Sequence, residues 1–172
     1  MLIDAKSEEA PVDKALVDAV LTASRTLVAV STRSLGAAAE HTTIAQYRML
    51  VVLASRGPQR MVDLAAALDV APSTAGRMTD RLVRKQLIRR HRARADRRSV
   101  VVSVTAEGRK VVDEATARRR ILIENILDQV PADQQQAITT AFEAFSAAAG
   151  EVPEHLWPPA PAPDLPPAGV SA

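Results

Sequence analysis

The residues with the most distinctive chemistry in this sequence are arginines. Between positions 77 and 98 the chain holds ten of its 22 Lys and Arg, against only Asp80 and Asp96. That stretch carries +8, which leaves −6 for the rest of a chain whose net charge is +2. So concentrated a basic block on an otherwise acidic chain has the electrostatic footprint of a polyanion-binding surface; charge alone also allows a solvated basic face. Spacing sharpens the reading. At about 100° per residue, a helix places Ser73, Arg77, Asp80 and Arg84 on one side with Arg81 flanking, and Ala71, Ala75, Met78 and Leu82 on the opposite side. Near its start, Ser73 and Thr74 offer short hydrogen-bonding side chains, and Gly76 permits close backbone approach. Arg77 has the fork that matches guanine O6 and N7 in a major groove about 12 Å wide. Arg81 and Arg84, further along, are placed for a phosphate backbone. A second group, Arg92, Arg94, Arg97 and Arg98, crowds a short polar stretch with Asp96. An arginine on a thin loop can enter a minor groove. Asp96 reads as the acid that aims or braces one of these arginines through a charge-assisted hydrogen bond.

Other chemistries find little support. There is no cysteine, so disulfides, thiolate metal sites and thiol redox sensing are excluded together. His41, His91 and His155 lack ligand spacing, and no nucleophile elbow, phosphate loop or dinucleotide fingerprint occurs. The expectation is no catalytic residue, no metal and no cofactor: not an enzyme. Arg25, His41 and Tyr47 combine a cation with ring-bearing side chains near the junction of the first two helices, which would suit an acidic phenol as effector; plain packing or surface roles are the alternative.

These side chains need elements to hold them. Leu16, Val20, Ala23, Leu27 and Val30 step by fours and threes, which predicts a long helix over 12–39. Thr42 or Thr43 starts a second helix with Ile44, Tyr47, Leu50, Val51 and Ala54 on one face, and Gly57-Pro58 ends it. Met61, Leu64, Ala65 and Leu68 give a short third helix. Asp69-Val70-Ala71 is a tight corner, and Pro72 stands in the first turn of the basic-faced helix, 72–86. Two helices joined by such a corner form a helix-turn-helix unit. Residues 87–92 and 99–104 read as a hairpin rich in β-branched residues. Thr105 caps a helix to about 129 with Val111, Ala115, Leu122 and Ile126 on a face, and a last helix over 131–150 carries Ile138, Phe142 and Phe145. From 151 onward seven of 22 residues are proline, with no Lys or Arg. That composition predicts an extended or disordered tail that adds little to phosphate neutralisation.

The stretches DLAAALDVAPSTAGRMTDRLVRKQLIRR and ADRRSVVVSVTAEG resemble the MarR family of bacterial regulators. The Asp-Arg-Arg before a valine-rich strand, followed by Thr105-Ala-Glu-Gly108, carries most of that specificity. The resemblance implies a mostly α fold with a small β-hairpin wing. In it 42–105 is a winged helix-turn-helix, while 12–41 and 106–150 form a helical dimerisation region and 151–172 a tail. It implies a homodimer on an inverted-repeat operator in double-stranded DNA, acting as a repressor that a small ligand releases. By the same resemblance Ser73, Thr74 and Arg77 fall at recognition positions, and Asp96 and Arg98 match the wing's Asp-x-Arg. Two residues depart from the pattern: Gly76 stands where threonine is usual, and Gln86 where a glycine usually ends the recognition helix. A winged helix serving as a protein- or RNA-interaction module is the alternative function. The acidic, polar start MLIDAKSEEAP lacks a signal-peptide pattern, and no run of eighteen apolar residues exists, so the expected location is the cytoplasm, without membrane contact.

Overall fold

A computed structural model describes residues 12–36, 42–92 and 100–161. The element order is α1 (Lys14–Ser34), α2 (Ile44–Arg56), β1 (Gln59–Arg60), α3 (Met61–Ala67), α4 (Pro72–Arg84), β2 (Ile88–Arg92), β3 (Val100–Val104), α5 (Ala106–Leu127) and α6 (Ala132–Ala148). A short 3-10 turn, Glu154–Leu156, follows. The fold is mostly helical with a small antiparallel sheet in the order β1-β3-β2. Ile88 pairs with Val104 and Arg92 with Val100. Two-residue β1 was not foreseen: Gln59-Arg60 is too short and too polar to carry a strand signal, and it pairs only because Val101 and Val102 lie alongside.

Helix starts follow local chemistry. Asp13 accepts a hydrogen bond from the Ala15 N–H at 3.0 Å. Thr43 and Gln46 form a reciprocal capping box. Thr105 accepts from the Gly108 N–H at 3.0 Å. The far end of α1 is closed from outside: Arg118 on α5 donates to the Ser34 and Leu35 carbonyls at 2.7 and 3.2 Å.

The core is built around α2. Met49, Leu50 and Leu53 are fully buried there, beside Leu64, Leu82, Ile88, Val102 and Val112 from the surrounding elements. Of the face expected on α2, Tyr47, Leu50 and Ala54 are buried, and two residues depart. Ile44 is 48% exposed, Val51 only half-buried, and Met49, Val52 and Leu53 are inside. On α4, Ala75, Met78 and Leu82 are buried as expected, but Ala71 is exposed. Thr79 is buried instead, its hydroxyl 3.7 Å from the sulfurs of Met49 and Met61. On α5, Val112 and Ala115 are buried, Val111 and Leu122 half-buried, and Ile126 exposed. No residue of α6 is buried.

The chain after α4 turns through a two-bond cap. The Leu87 N–H reaches back to the Leu82 carbonyl and the Gln86 N–H to the Val83 carbonyl, with Gln86 at φ +59°. The departure from glycine is therefore real: Gln86 adopts the left-handed conformation that glycine would take with less strain. Thr105 holds it there, donating its hydroxyl to the Gln86 carbonyl at 2.7 Å. Asp69 (φ +50°) closes α3 by the same pattern. The segment expected as a loose tail departs from that expectation in its first part. Trp157 packs against the core, and its indole N–H donates to the Val152 carbonyl at 2.7 Å. Residues 162–172 lie outside the described residues.

Helix α1 is long and apolar enough, by length and composition, to cross a membrane. Asp18 and Arg25 interrupt it, however, and such charges are costly in hydrocarbon.

A Cβ added to Gly108 would lie 2.0 Å from the Leu87 carbonyl oxygen, a backbone atom that cannot swing aside. Gly108→Ala is expected to lower stability by about 1–3 kcal/mol or more, as overpacking does. Gln86→Gly is expected to raise it by up to about 1 kcal/mol through relief of the left-handed strain. Thermal unfolding of both variants checks this; equal melting temperatures for all three proteins would refute it.

Candidate nucleic-acid interface

Helix α4 is held by its apolar side and displays its basic side. Ala75, Thr79 and Leu82 are completely buried against α2, α3 and the sheet, which fixes the rotation of the helix about its axis. Ser73, Arg77, Asp80, Arg81 and Arg84 are consequently exposed, and Thr74 and Gly76 half-exposed. The structure thus brings all six sequence-predicted recognition residues onto one accessible surface. Ala71 is the N-cap and no side chain caps the helix. Ser73 sits inside the first turn and makes no cap hydrogen bond. An uncapped helix start favours an anion, because its first N–H groups lack partners.

Within this face the contacts are sparse. Arg77 donates to the Thr74 hydroxyl at 3.3 Å. Asp80 pairs with Arg90 of β2 at 2.7 Å, tying the recognition helix to the sheet. Arg81 and Arg84 have no ion-pair partner among the described residues. A Cβ at Gly76 would meet nothing within 4 Å, so the fold itself does not require glycine there. Arg92 is exposed at the end of β2. Arg94, Asp96, Arg97 and Arg98 lie outside the described residues.

The three expected effector residues do not form a site as a group. Arg25 is exposed and donates to Thr22 on its own helix at 3.1 Å. His41 lies outside the described residues. Tyr47 is 6% exposed, and its hydroxyl is buried without a hydrogen-bond partner among the described residues. Arg119 of α5 stands over the Tyr47 ring, its guanidinium carbon 5.4 Å from the centroid. The Arg119 Nε is also buried and unpartnered. Arg119 was missed because nothing in its own neighbourhood marks it; only the packing of α5 against α2 makes the pair. Among the described residues no group of three or more His, Asp or Glu could hold a metal ion.

Comparison with known proteins fits this geometry. The MarR family model matches residues 42–100, which run from the start of α2 to the start of β3. The crystal structure of RV1404 from Mycobacterium tuberculosis superposes with a TM-score of 0.76 at 41% identity, covering 81% of this chain and 95% of that one. The HTH-type transcriptional repressor MdtR of Bacillus subtilis (strain 168) is 32% identical over 111 residues, 63% of this chain and 72% of MdtR. This chain belongs to the MarR family. Another relative, the HTH-type transcriptional regulator YhbI of the same bacterium, is 33% identical over 76 residues. That match takes in 44% of this MarR-family chain and about half, 49%, of YhbI.

Burying a hydroxyl without a partner costs roughly 1–3 kcal/mol. Tyr47→Phe is therefore expected to leave thermal stability unchanged or raise it. A clear loss of stability, followed by calorimetry, would mean that an ordered water already satisfies the hydroxyl.

Proposed function

We propose that this protein is a transcription regulator that binds double-stranded DNA as a homodimer, with α4 in the major groove. The observation that carries the reading is the presentation of α4. One side is locked into the core by Ala75, Thr79 and Leu82, and the other offers Ser73, Thr74, Arg77, Arg81 and Arg84 to solvent beside an uncapped helix start. Arg77 is assigned to base edges, Ser73 and Thr74 to bases or nearby phosphates, and Arg81 and Arg84 to the backbone. Gly76 lets the helix backbone approach closely. By sequence position Arg92, Arg94, Arg97 and Arg98 supply a minor-groove contact, with Arg98 entering the groove and Asp96 bracing it.

The dimer is supported by apolar surface that stays open among the described residues of a single chain. Leu16 is 57% exposed, Leu21 53% and Phe145 55%. They lie on α1 and α6, the first and last α-helices described. A second copy related by a two-fold axis would cover these faces and place two α4 helices on an inverted repeat. The same face explains why α1 is apolar enough to resemble a spanning helix; its place is then an interface in the cytoplasm. The sign of regulation is proposed as repression, in line with the name of MdtR. Release by a small ligand is proposed at Tyr47 and Arg119, where a buried hydroxyl and a buried guanidinium N–H are left without partners among the described residues and the guanidinium stands over the ring.

Light scattering at micromolar concentration is expected to give twice the 18.4 kDa chain mass. A monomer would overturn the dimer. On DNA selected in vitro, Arg77→Ala is expected to cost about 1–3 kcal/mol per half-site and to relax preference at one base position. Gly76→Ala should weaken binding while leaving the fold intact or slightly more stable. Fluorescence anisotropy on the selected site and base-swapped variants, at fixed salt, reads both. Equal weakening on all sequences would make Arg77 a phosphate contact, and absence of salt-dependent DNA binding by the intact chain would overturn the function.

A further inference from the structure

The segment that follows α6 is fastened at every few residues by arginines of other elements. Arg56 of α2 donates to the Gly150 carbonyl at 3.1 Å. Arg48, also on α2, makes a forked ion pair with Glu151. That contact holds the Glu151 carboxyl below the usual carboxylate range. Arg120 of α5 pairs with Glu154 at 3.0 Å. Arg109, at the start of α5, stacks over the Trp157 ring at 5.7 Å and donates to the Pro158 carbonyl at 3.0 Å. Beyond it, Pro158, Pro159 and Pro161 line a cavity of about 170 Å³. Arg89 and His91 of β2 and Ser103 of β3 line it too. Residues 150–161 thus run from the end of α6, across α2 and α5, to the base of the β2–β3 hairpin.

The fastening has a mechanical consequence. Helix α6 buries none of its own residues, so packing along its length does little to hold it against the winged unit. Its C-terminal end, by contrast, is anchored through Gly150 and Glu151. We infer that residues 150–161 are a strap that sets the orientation of α6 relative to the winged helix-turn-helix. In the dimer this fixes the distance between the two α4 helices, so the strap is a positioning element for operator half-site spacing. This last step rests on the function proposed above. The strap contains no Lys or Arg, so it acts through geometry and not through phosphate neutralisation.

The test separates orientation from DNA binding. The chain has no cysteine, so Val62→Cys on α3 and Gln136→Cys on α6 can be spin-labelled cleanly, with labelled protein diluted into unlabelled. Val62 is 60% exposed, and Gln136 is exposed too. The distance distribution between the labels is expected to be narrow in the full chain. It should broaden on Glu151→Gln/Glu154→Gln/Trp157→Ala, with circular dichroism confirming that the helices persist. The milder Glu151→Gln/Glu154→Gln keeps Trp157, the only tryptophan, whose emission should shift to the red as the strap lifts. On selected DNA the released variants should lose at least about threefold in affinity and tolerate altered half-site spacing, with an unchanged dependence on salt. Distance distributions identical to those of the full chain would overturn the strap. A changed orientation with unaltered spacing preference would overturn its role on DNA. Failure of the full chain itself to bind DNA would refute the proposed function and leave the label measurement to decide the strap.

Discussion

The winged unit depends on one close backbone approach, where Gly108 lies under the carbonyl of Leu87. Three elements meet there: the end of α4, the start of β2 and the first turn of α5. No side chain at position 108 fits between them, because its Cβ would stand 2.0 Å from a carbonyl oxygen. The approach lets Thr105 serve two partners, accepting from the Gly108 N–H and donating to the Gln86 carbonyl. Gln86 in turn closes α4 in a left-handed turn and delivers Leu87 and Ile88 to the core. The direction of the recognition helix, the root of the hairpin and the departure of the long helix α5 are therefore set together. That arrangement gives the Thr-x-x-Gly spacing at 105–108 its physical meaning.

Arginine is put to two different uses in this molecule. Arg48, Arg56, Arg109, Arg118 and Arg120 spend their hydrogen bonds on the chain itself, closing helix ends or holding the segment after α6. Planar guanidinium groups suit this work, since each can serve two acceptors at once. The arginines of α4 make almost no such contacts and point away from the core. Asp80 is the one described acid within the basic block, and Arg90 pairs with it. The resulting surface is positive where the helix is rigid. This combination supplies both attraction to a polyanion and the fixed geometry needed to read one.

The apolar surface is divided in a similar way. The core around α2 accounts for the winged unit. The faces of α1 and α6 find no cover among the described residues, and the strap fixes one end of α6 without covering its phenylalanines. In the proposed dimer a second copy covers these faces, while the core between them is closed within one chain.

How much of this was legible beforehand follows from the range of the forces involved. Helix caps at Thr43 and Thr105, the proline at the start of α4, and its basic and apolar sides are all local. They depend on residues within a turn or two, and the sequence by itself determined them. It also marked Gln86 as out of place in the turn it occupies. Two members of the expected α2 face, Ile44 and Val51, were misjudged because that helix is apolar on more than one side, and only its neighbours choose between Ile44 and Met49. Thr79 is polar in the sequence and buried in the fold, since two methionine sulfurs from distant positions receive its hydroxyl. The two-residue strand β1, the Tyr47–Arg119 pair and the docking of Trp157 all join residues tens of positions apart. No spacing rule reaches that far, and the proline content after 151 argued for a free tail. Tertiary structure decided these features because each exists only when α5 and the sheet have closed over α2.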